Sequence, residues 1–289
     1  MSANAQTTGE IISEKHVEMT PHEPKVSKCN ILDIDFDLID YDRTIQTIEQ
    51  CRRNGKKIYV TMTNPHSVMI CHRDTDMKQA TAGAHIILPD GAGIILAAKL
   101  LGYPDNGRTT GPMLMLRLCN WGRQKGYRHF FYGGAQAVAQ RLADKLSGMY
   151  SGLDIVGTYC PPFRPLSPEE DQFIIDTINA TSPDIVWVGL GAPKQEKWMA
   201  DHLGKIRATA MIGVGAAFDF HSGNIRWAPG WIRKIGLEWA YRLGREPKRM
   251  WRRNLDSPLF LARVIAQRFK SVPVHNPQIA LQKKTQVDI

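Results

Sequence analysis

Cysteine is scarce in this chain and poorly placed for bonding. The five (Cys29, Cys51, Cys71, Cys119, Cys160) are odd in number, far apart and never in a Cys-x-x-Cys pair, which argues against a disulfide framework or a zinc knuckle and for a reducing compartment. The nine histidines include no His-x-x-x-His or His-Glu-x-x-His, so a helix-borne zinc pair is absent. A full Gly-x-Gly-x-x-Gly, a Walker sequence and a Gly-x-Ser-x-Gly elbow are all missing, which removes support for NAD enzymes, P-loop nucleotidases and serine hydrolases of the α/β type.

Long apolar runs are lacking too. The longest, residues 84–103, is interrupted by Pro89, Asp90, Gly91, Gly93 and Lys99, and no transmembrane helix is expected from it. Residues 1–28 are polar, without the apolar centre of a signal peptide, and read as a disordered leader. Residues 271–289, with Pro273, Pro277 and several Gln and Lys, read as a flexible tail.

What is present is a basic excess confined to one place. Residues 224–270 hold twelve Lys or Arg against three Asp or Glu, and the rest of the chain balances at 25 against 25, so the whole net charge of +9 lies in that segment. A local excess of this size points to an anionic partner: phosphate groups, a membrane surface or nucleic acid.

From about residue 30, short apolar runs alternate with helix-period segments, the pattern of βα units. Strands are predicted over 58–63, 85–88, 129–132, 154–157, 185–189 and 209–214, and helices over about 43–54, 66–82, 91–101, 111–125, 135–150, 168–180 and 193–203. The expected fold is α/β: a Rossmann-like, mostly parallel sheet flanked by helices over 29–229, followed by a basic helical appendage over 230–270. In that appendage one helix is predicted over about 230–243, stopping at Gly244, a second to start at Pro247 and carry Arg249, Arg252 and Arg253 on one face, and a third to follow Ser257-Pro258. Basic and aromatic residues alternate along helices too short to cross a bilayer, which fits membrane docking or phosphate binding as well as a solvated basic face.

Open parallel sheets bind ligands at the carboxyl ends of their strands. Four Gly-rich stretches fall there: Gly91-Ala92-Gly93, Gly133-Gly134, Gly189-Leu190-Gly191 and the run from Gly213 through Phe218 to Asp219. Each alone is as well explained by a tight turn, but together at one edge they suggest a nucleotide cleft. Asp90, just after a strand and before an apolar helix, could take a proton from an attacking hydroxyl or could cap the helix; Asp219 has the same two readings. The Asp-x-Asp matches (Asp33-Ile34-Asp35, Asp35-Phe36-Asp37, Asp74-Thr75-Asp76) lie away from the expected edge and read as surface, so no metal site and no cofactor is expected.

Taken in order, Asn64-Pro65, Leu88-Pro89-Asp90-Gly91, Thr110-Gly111, Gly133-Gly134, the run Gly189-Leu190-Gly191-Ala192-Pro193-Lys194-Gln195-Glu196-Lys197-Trp198, the run from Gly213 to Asp219, Gly236-Leu237-Glu238-Trp239 with Arg242, Glu246-Pro247 and Trp251-Arg252-Arg253 resemble the bacterial WecG/TagA/CpsF glycosyltransferases over about 31–270. The resemblance implies an inverting, metal-independent transfer from a UDP-sugar to a polyprenyl-diphosphate-linked saccharide in surface polysaccharide assembly. It implies a peripheral position on an anionic membrane surface, at the cytoplasmic face. By the same resemblance Asp90 is the general base, and Asn64 and Arg108 line the cleft. Lys194 and Gln195 contact the nucleotide-sugar, with Thr63, Gly133, Gly134, Gly191, Phe218 and Asp219 around it. Arg242, Arg249 and Arg252 belong to an appendage that closes over the site and stabilises the leaving diphosphate.

Two departures stand out. Met62 occupies the position where the family commonly has Thr, leaving open which of Thr61 and Thr63 faces the sugar, and Pro112-Met113 follow Gly111 where an Asp is frequent. A non-catalytic nucleotide-sugar-binding or scaffold protein is the alternative reading, which leaves Asp90 without a purpose. Nucleic-acid binding fits the charge but no recognised module accompanies it.

Overall fold

The computed structural model describes residues 28–104 and 109–270, with the side chains of Arg249, Arg252 and Arg253 outside the description. Of the expected segments, 271–289 and all of 1–28 but Lys28 therefore lie outside the described residues, as does Arg108.

The first element is a hairpin, β1 (Lys28–Ile31) and β2 (Ile34–Asp37), turned through Leu32 and Asp33 at φ of 50° and 64°. Positive φ at both turn residues matches the twist of the flanking strands. After α1 (Tyr41–Arg53) the βα units begin: β3 (Ile58–Thr63), α2 (Pro65–Cys71), α3 (Thr75–Ala82), β4 (Ile86–Pro89), α4 (Ala92–Leu100), α5 (Gly111–Arg123), β5 (Arg128–Gly133), α6 (Val138–Met149), β6 (Asp154–Tyr159), α7 (Pro168–Ala180), β7 (Ile185–Gly189), α8 (Lys194–His202), β8 (Ala210–Gly213) and α9 (Ala217–Ser222). All six strands predicted from apolar runs form, and they pair in parallel in the order β4-β3-β8-β7-β5-β6.

Every residue of β3 is buried, as expected of a parallel strand covered on both faces. Along β5 and β7 the side chains alternate: Phe131 and Trp187 enter the core with Ile48 of α1, Leu118 of α5 and Leu142 of α6, whereas Phe130, Tyr132, Val186 and Val188 enter the core on the opposite face with Ile174 and Ile178 of α7 and Met199 of α8. The hairpin covers the β4 edge, where buried Asp37 accepts from the Ile87 amide at 2.8 Å and pairs with Lys28 at 3.0 Å. A charge turned inward at a sheet edge blocks further strand pairing.

Three helix predictions are corrected. The single helix expected over 66–82 is two, because Asp74 caps a new start by accepting from the Met77 amide at 3.0 Å. In the basic segment the single helix expected over about 230–243 is two, α10 (Gly230–Lys234) and α11 (Glu238–Arg245), and α12 (Pro247–Lys270) runs unbroken through Pro258, where a new helix was expected. A proline inside a helix costs about 3 kcal/mol. Burial of Phe260 and Val264, 2% and 0% exposed among Val68, Met69 and Ile94, offsets this at about 1.5–3 kcal/mol each. Further along, the Gln267 amide grips the hairpin, donating to Asn30 O at 3.0 Å and accepting from Leu32 N at 2.9 Å. The far half of α12 is thus built into the core.

Candidate active site

The carboxyl ends of the parallel strands open into one cleft of about 940 Å³, roofed by the C-terminal helices. That volume is at the upper end of small-molecule sites, in the range of a nucleotide-sugar rather than a single sugar.

At the β3 and β4 ends, register pairs Thr63 with Pro89, and the Asp90 amide donates to Thr63 O at 3.0 Å. Asp90 and Asn64 are thereby placed side by side on the cleft wall. The capping alternative for Asp90 is not what forms: the N-cap of α4 is Gly91, at φ 91°, with no side-chain cap. Asn64 is the cap of α2, accepting from Ser67 N at 3.0 Å through Oδ1. Its amide NH2 has no hydrogen-bond partner among the described residues. Thr61 and Thr63 are fully buried, their hydroxyls 3.5 Å apart, and it is Met62 that lines the cleft.

In the middle, α8, like α4, starts without a side-chain cap, and the first residues of both helices line the cleft at the favourable end of the helix dipole for an anionic ligand. Gly191 and exposed Lys194 line this part. Gln195 is 4% exposed; it accepts from the Gly215 amide at 2.9 Å and donates to Glu196 at 3.2 Å, tying the β8 loop to α8. Gly213 makes room for it, since a Cβ there would sit 2.5 Å from Gln195 Nε2.

Toward β5, Gly134 N donates to Gly189 O at 3.0 Å, and Gly133 lies behind it, where a Cβ would meet Gly189 backbone at 2.6 Å. Gly134 lines the cleft and Gly133 does not. Phe218 packs edge-on to Phe131 at 5.9 Å and shows the cleft only a face, being 1% exposed. Asp219 lines the cleft and accepts from Asn224 Nδ2 at 2.8 Å. His221, whose imidazole burial holds below its ordinary pKa, donates from Nε2 to Pro112 O at 2.9 Å.

The roof supplies positive charge. Arg242 of α11 lines the cleft with its side chain 14% exposed, its guanidinium 5.2 Å from the Phe220 ring and 4.0 Å from Glu246. Its Nε and Nη2 are buried with no hydrogen-bond partner among the described residues. These two N–H groups are closed off from solvent, so what Arg242 brings to the cleft wall is positive charge beside the Glu246 carboxylate. Arg249 and Arg252 sit on α12 nearby in sequence, but their side chains, like all of Arg108, fall outside the described residues.

Several wall residues carry no local sequence signal. His66, Asn254 and Ser257 line the cleft through tertiary packing, as do Tyr132 and Trp198, whose rings stack at 4.3 Å. The strap after β6 was foreshadowed only by its proline cluster, Pro161, Pro162 and Pro165; it puts Phe163, 82% exposed, at the rim. The Asp-x-Asp carboxylates are elsewhere and committed: Asp37 as above, and Asp74 to Lys197 at 2.8 Å. Among the described residues no three His, Cys, Asp or Glu side chains cluster as a metal site would require.

With this geometry in view, comparisons with known proteins are specific. A family model described as Glycosyl transferase WecG/TagA/CpsF family matches residues 29–273. A protein of Bacillus spizizenii named N-acetylglucosaminyldiphosphoundecaprenol N-acetyl-beta-D-mannosaminyltransferase is 30% identical over 252 residues, covering 87% of this chain and 95% of its own. Proteins of the same name from Bacillus subtilis, 29% identical over 72% of this chain and 79% of theirs, and Staphylococcus aureus, 26% identical over 82% and 92%, are also similar.

Proposed function

The chain belongs to the WecG/TagA/CpsF glycosyl transferase family, and from that premise we propose that it transfers a sugar from a UDP-sugar to a saccharide carried on a polyprenyl diphosphate, with inversion and without a metal ion. The relatives' names make N-acetylmannosamine the first donor sugar to test and N-acetylglucosaminyl-diphospho-undecaprenol the first acceptor.

The observation that carries the reading is the presence, in the wall of one cleft, of a strand-end carboxylate and a largely buried arginine: Asp90 and Arg242. The acceptor hydroxyl gives its proton to the Asp90 carboxylate as its oxygen bonds to the anomeric carbon. The bond from that carbon to the diphosphate oxygen breaks on the opposite side, and its electron pair leaves with UDP. Negative charge then grows on the diphosphate, where the positive charge of Arg242 and the N-terminal ends of α4 and α8 stabilise it, the task a metal ion performs in other sites. Asn64, beside Asp90, orients a hydroxyl of either sugar through its amide NH2.

The acceptor's lipid keeps it in a membrane, and no helix among the described residues is long and apolar enough to cross one. The roof bears exposed apolar side chains, Trp231, Ile235, Leu237 and Trp239 on and between α10 and α11 and Trp251, Leu255 and Leu259 at i, i+4, i+8 along α12, set among basic residues. This fits peripheral docking on an anionic membrane surface, which we place at the cytoplasmic face. The test is a donor panel of UDP-sugars with a short-chain polyprenyl-diphosphate acceptor, product mass being read with and without excess EDTA. Nucleotide-sugar binding without transfer to any acceptor would favour a scaffold; transfer abolished by EDTA and restored by a divalent ion would overturn the metal-free mechanism.

A further inference from the structure

Asp256, in the middle of α12, is a buried acid, 7% exposed, held by two side chains from the opposite end of the chain. One oxygen lies 2.5 Å from Nδ1 of His66, and the other accepts from Nη2 of Arg73 at 2.6 Å. The two partners differ in one decisive way. His66, two residues past Asn64 on α2, lines the cleft; Arg73 follows α2 at its far end, away from the cleft, with its side chain 57% exposed. The carboxylate also sits at the joint of α12: before it Met250 and Asn254 form roof, and after it Phe260 and Val264 are core.

We propose that Asp256 is a positioning residue for the transfer reaction, acting through His66. By holding Nδ1, it fixes the plane of an imidazole that lines the cleft, in the first turn of the helix that Asn64 caps. Because the same carboxylate belongs to the roof helix, the orientation of His66 and the seating of the roof over the sugar are set together. A carboxylate that holds a histidine by one ring nitrogen fixes its tautomer and orientation, and its removal misaligns the ring without deleting it. A tie between helices that served stability alone would not need one of its two partners in the cleft wall.

This inference rests on the glycosyl-transfer reading, and a double-mutant cycle separates the two. Asp256→Asn and His66→Gln are each expected to lower kcat/KM for the saccharide acceptor about tenfold, and the double variant about the same tenfold rather than a hundredfold. Arg73→Gln, which breaks the other half of the pair, is expected to stay within about twofold of the parent while lowering the melting temperature as Asp256→Asn does. Asp256→Glu is expected to recover part of the lost rate. Multiplying defects, or an Arg73→Gln rate as poor as that of Asp256→Asn, would reduce Asp256 to a structural tie. A second readout needs no turnover: in spectra of histidine-15N-labelled protein, the His66 ring signals should shift on adding UDP-N-acetylmannosamine, and that response should be lost in Asp256→Asn and kept in Arg73→Gln. Absence of transfer by the parent chain would count against the enzymatic reading. An unchanged His66 response in Asp256→Asn would overturn the positioning role whatever the activity.

Discussion

The Asp90 amide donates to the Thr63 carbonyl at 3.0 Å, one step beyond the last paired residues of β3 and β4. This bond extends the ladder just far enough to set Asp90 beside Asn64. The carboxylate is therefore held by sheet geometry rather than by a mobile loop, and side-chain substitution leaves its backbone place intact. Asp90→Asn keeps shape and removes basicity, so turnover is expected to fall roughly 100-fold or more while UDP affinity, measured by calorimetry, stays within about threefold. Near-parental turnover would remove Asp90 from the role of base.

Arg242 should behave differently, because in the proposed mechanism it acts on the leaving group. Arg242→Ala is expected to lower kcat/KM about 100-fold, the magnitude of removing a preorganised donor from a developing oxyanion. Arg242→Lys should recover only part of that, since an ammonium keeps the charge and loses the planar fork. The measurement is steady-state kinetics on a water-soluble acceptor, so that membrane docking does not enter. Equal rates for the parent and the alanine variant would show that the diphosphate lies elsewhere.

Gln195 offers a test of the cleft's middle. Its Oε1 takes the Gly215 amide and its Nε2 gives to Glu196, so Gln195→Glu keeps the first bond and turns the second into two facing carboxylates. Two buried acids at that distance cannot both ionise without cost, and sharing a proton relieves them at lower pH. The variant should melt several degrees below the parent at pH 8 and recover toward it at pH 6, with the activity loss following the same trend. A deficit independent of pH would mean that the lost donor, and not the added charge, matters.

How much of this could be read in advance depends on sequence distance. The six sheet strands were legible because each is a short apolar run bounded by turn residues, and the place of Asp90 on the cleft wall was legible because a strand end followed by Gly marks a ligand edge. The break between α2 and α3 was not, since Asp74 disturbs no apolar period and acts only as a cap. Pro258 misled for a physical reason: the local penalty is real, but Phe260 and Val264 outweigh it through contacts with helices roughly 160 to 200 residues earlier. The ties between His66 and Asp256 and between Gln195 and Gly215 join residues 190 and 20 apart, and no local pattern announces either one.

That lesson changes what α12 should do when cut. The apolar residues after Pro258 look, in sequence, like a detachable lipid-binding face, and removal of everything beyond Asp256 would then spare the fold. In the structure the same stretch supplies Phe260 and Val264 to the core and the Gln267 grip on the hairpin. Truncation after Asp256 is therefore expected to cost several kcal/mol of stability, about 1.5–3 for each large buried side chain lost, and to yield a protein that melts far below the parent or fails to fold. Lipid binding should instead follow the exposed stripe of Trp251, Leu255 and Leu259, which lies outside the buried core clusters. Changing all three to Ser is expected to leave the melting temperature within a few degrees, weaken binding to vesicles containing anionic lipid by about tenfold or more, and slow transfer to a long-chain acceptor while sparing a water-soluble one. Raised salt should weaken the parent's binding by screening the basic residues beside the stripe, the screening length being about 8 Å at physiological ionic strength. If the triple variant binds vesicles as the parent does, the exposed stripe is not the docking face; if the truncated chain melts normally, the far half of α12 is the appendage that its sequence suggests.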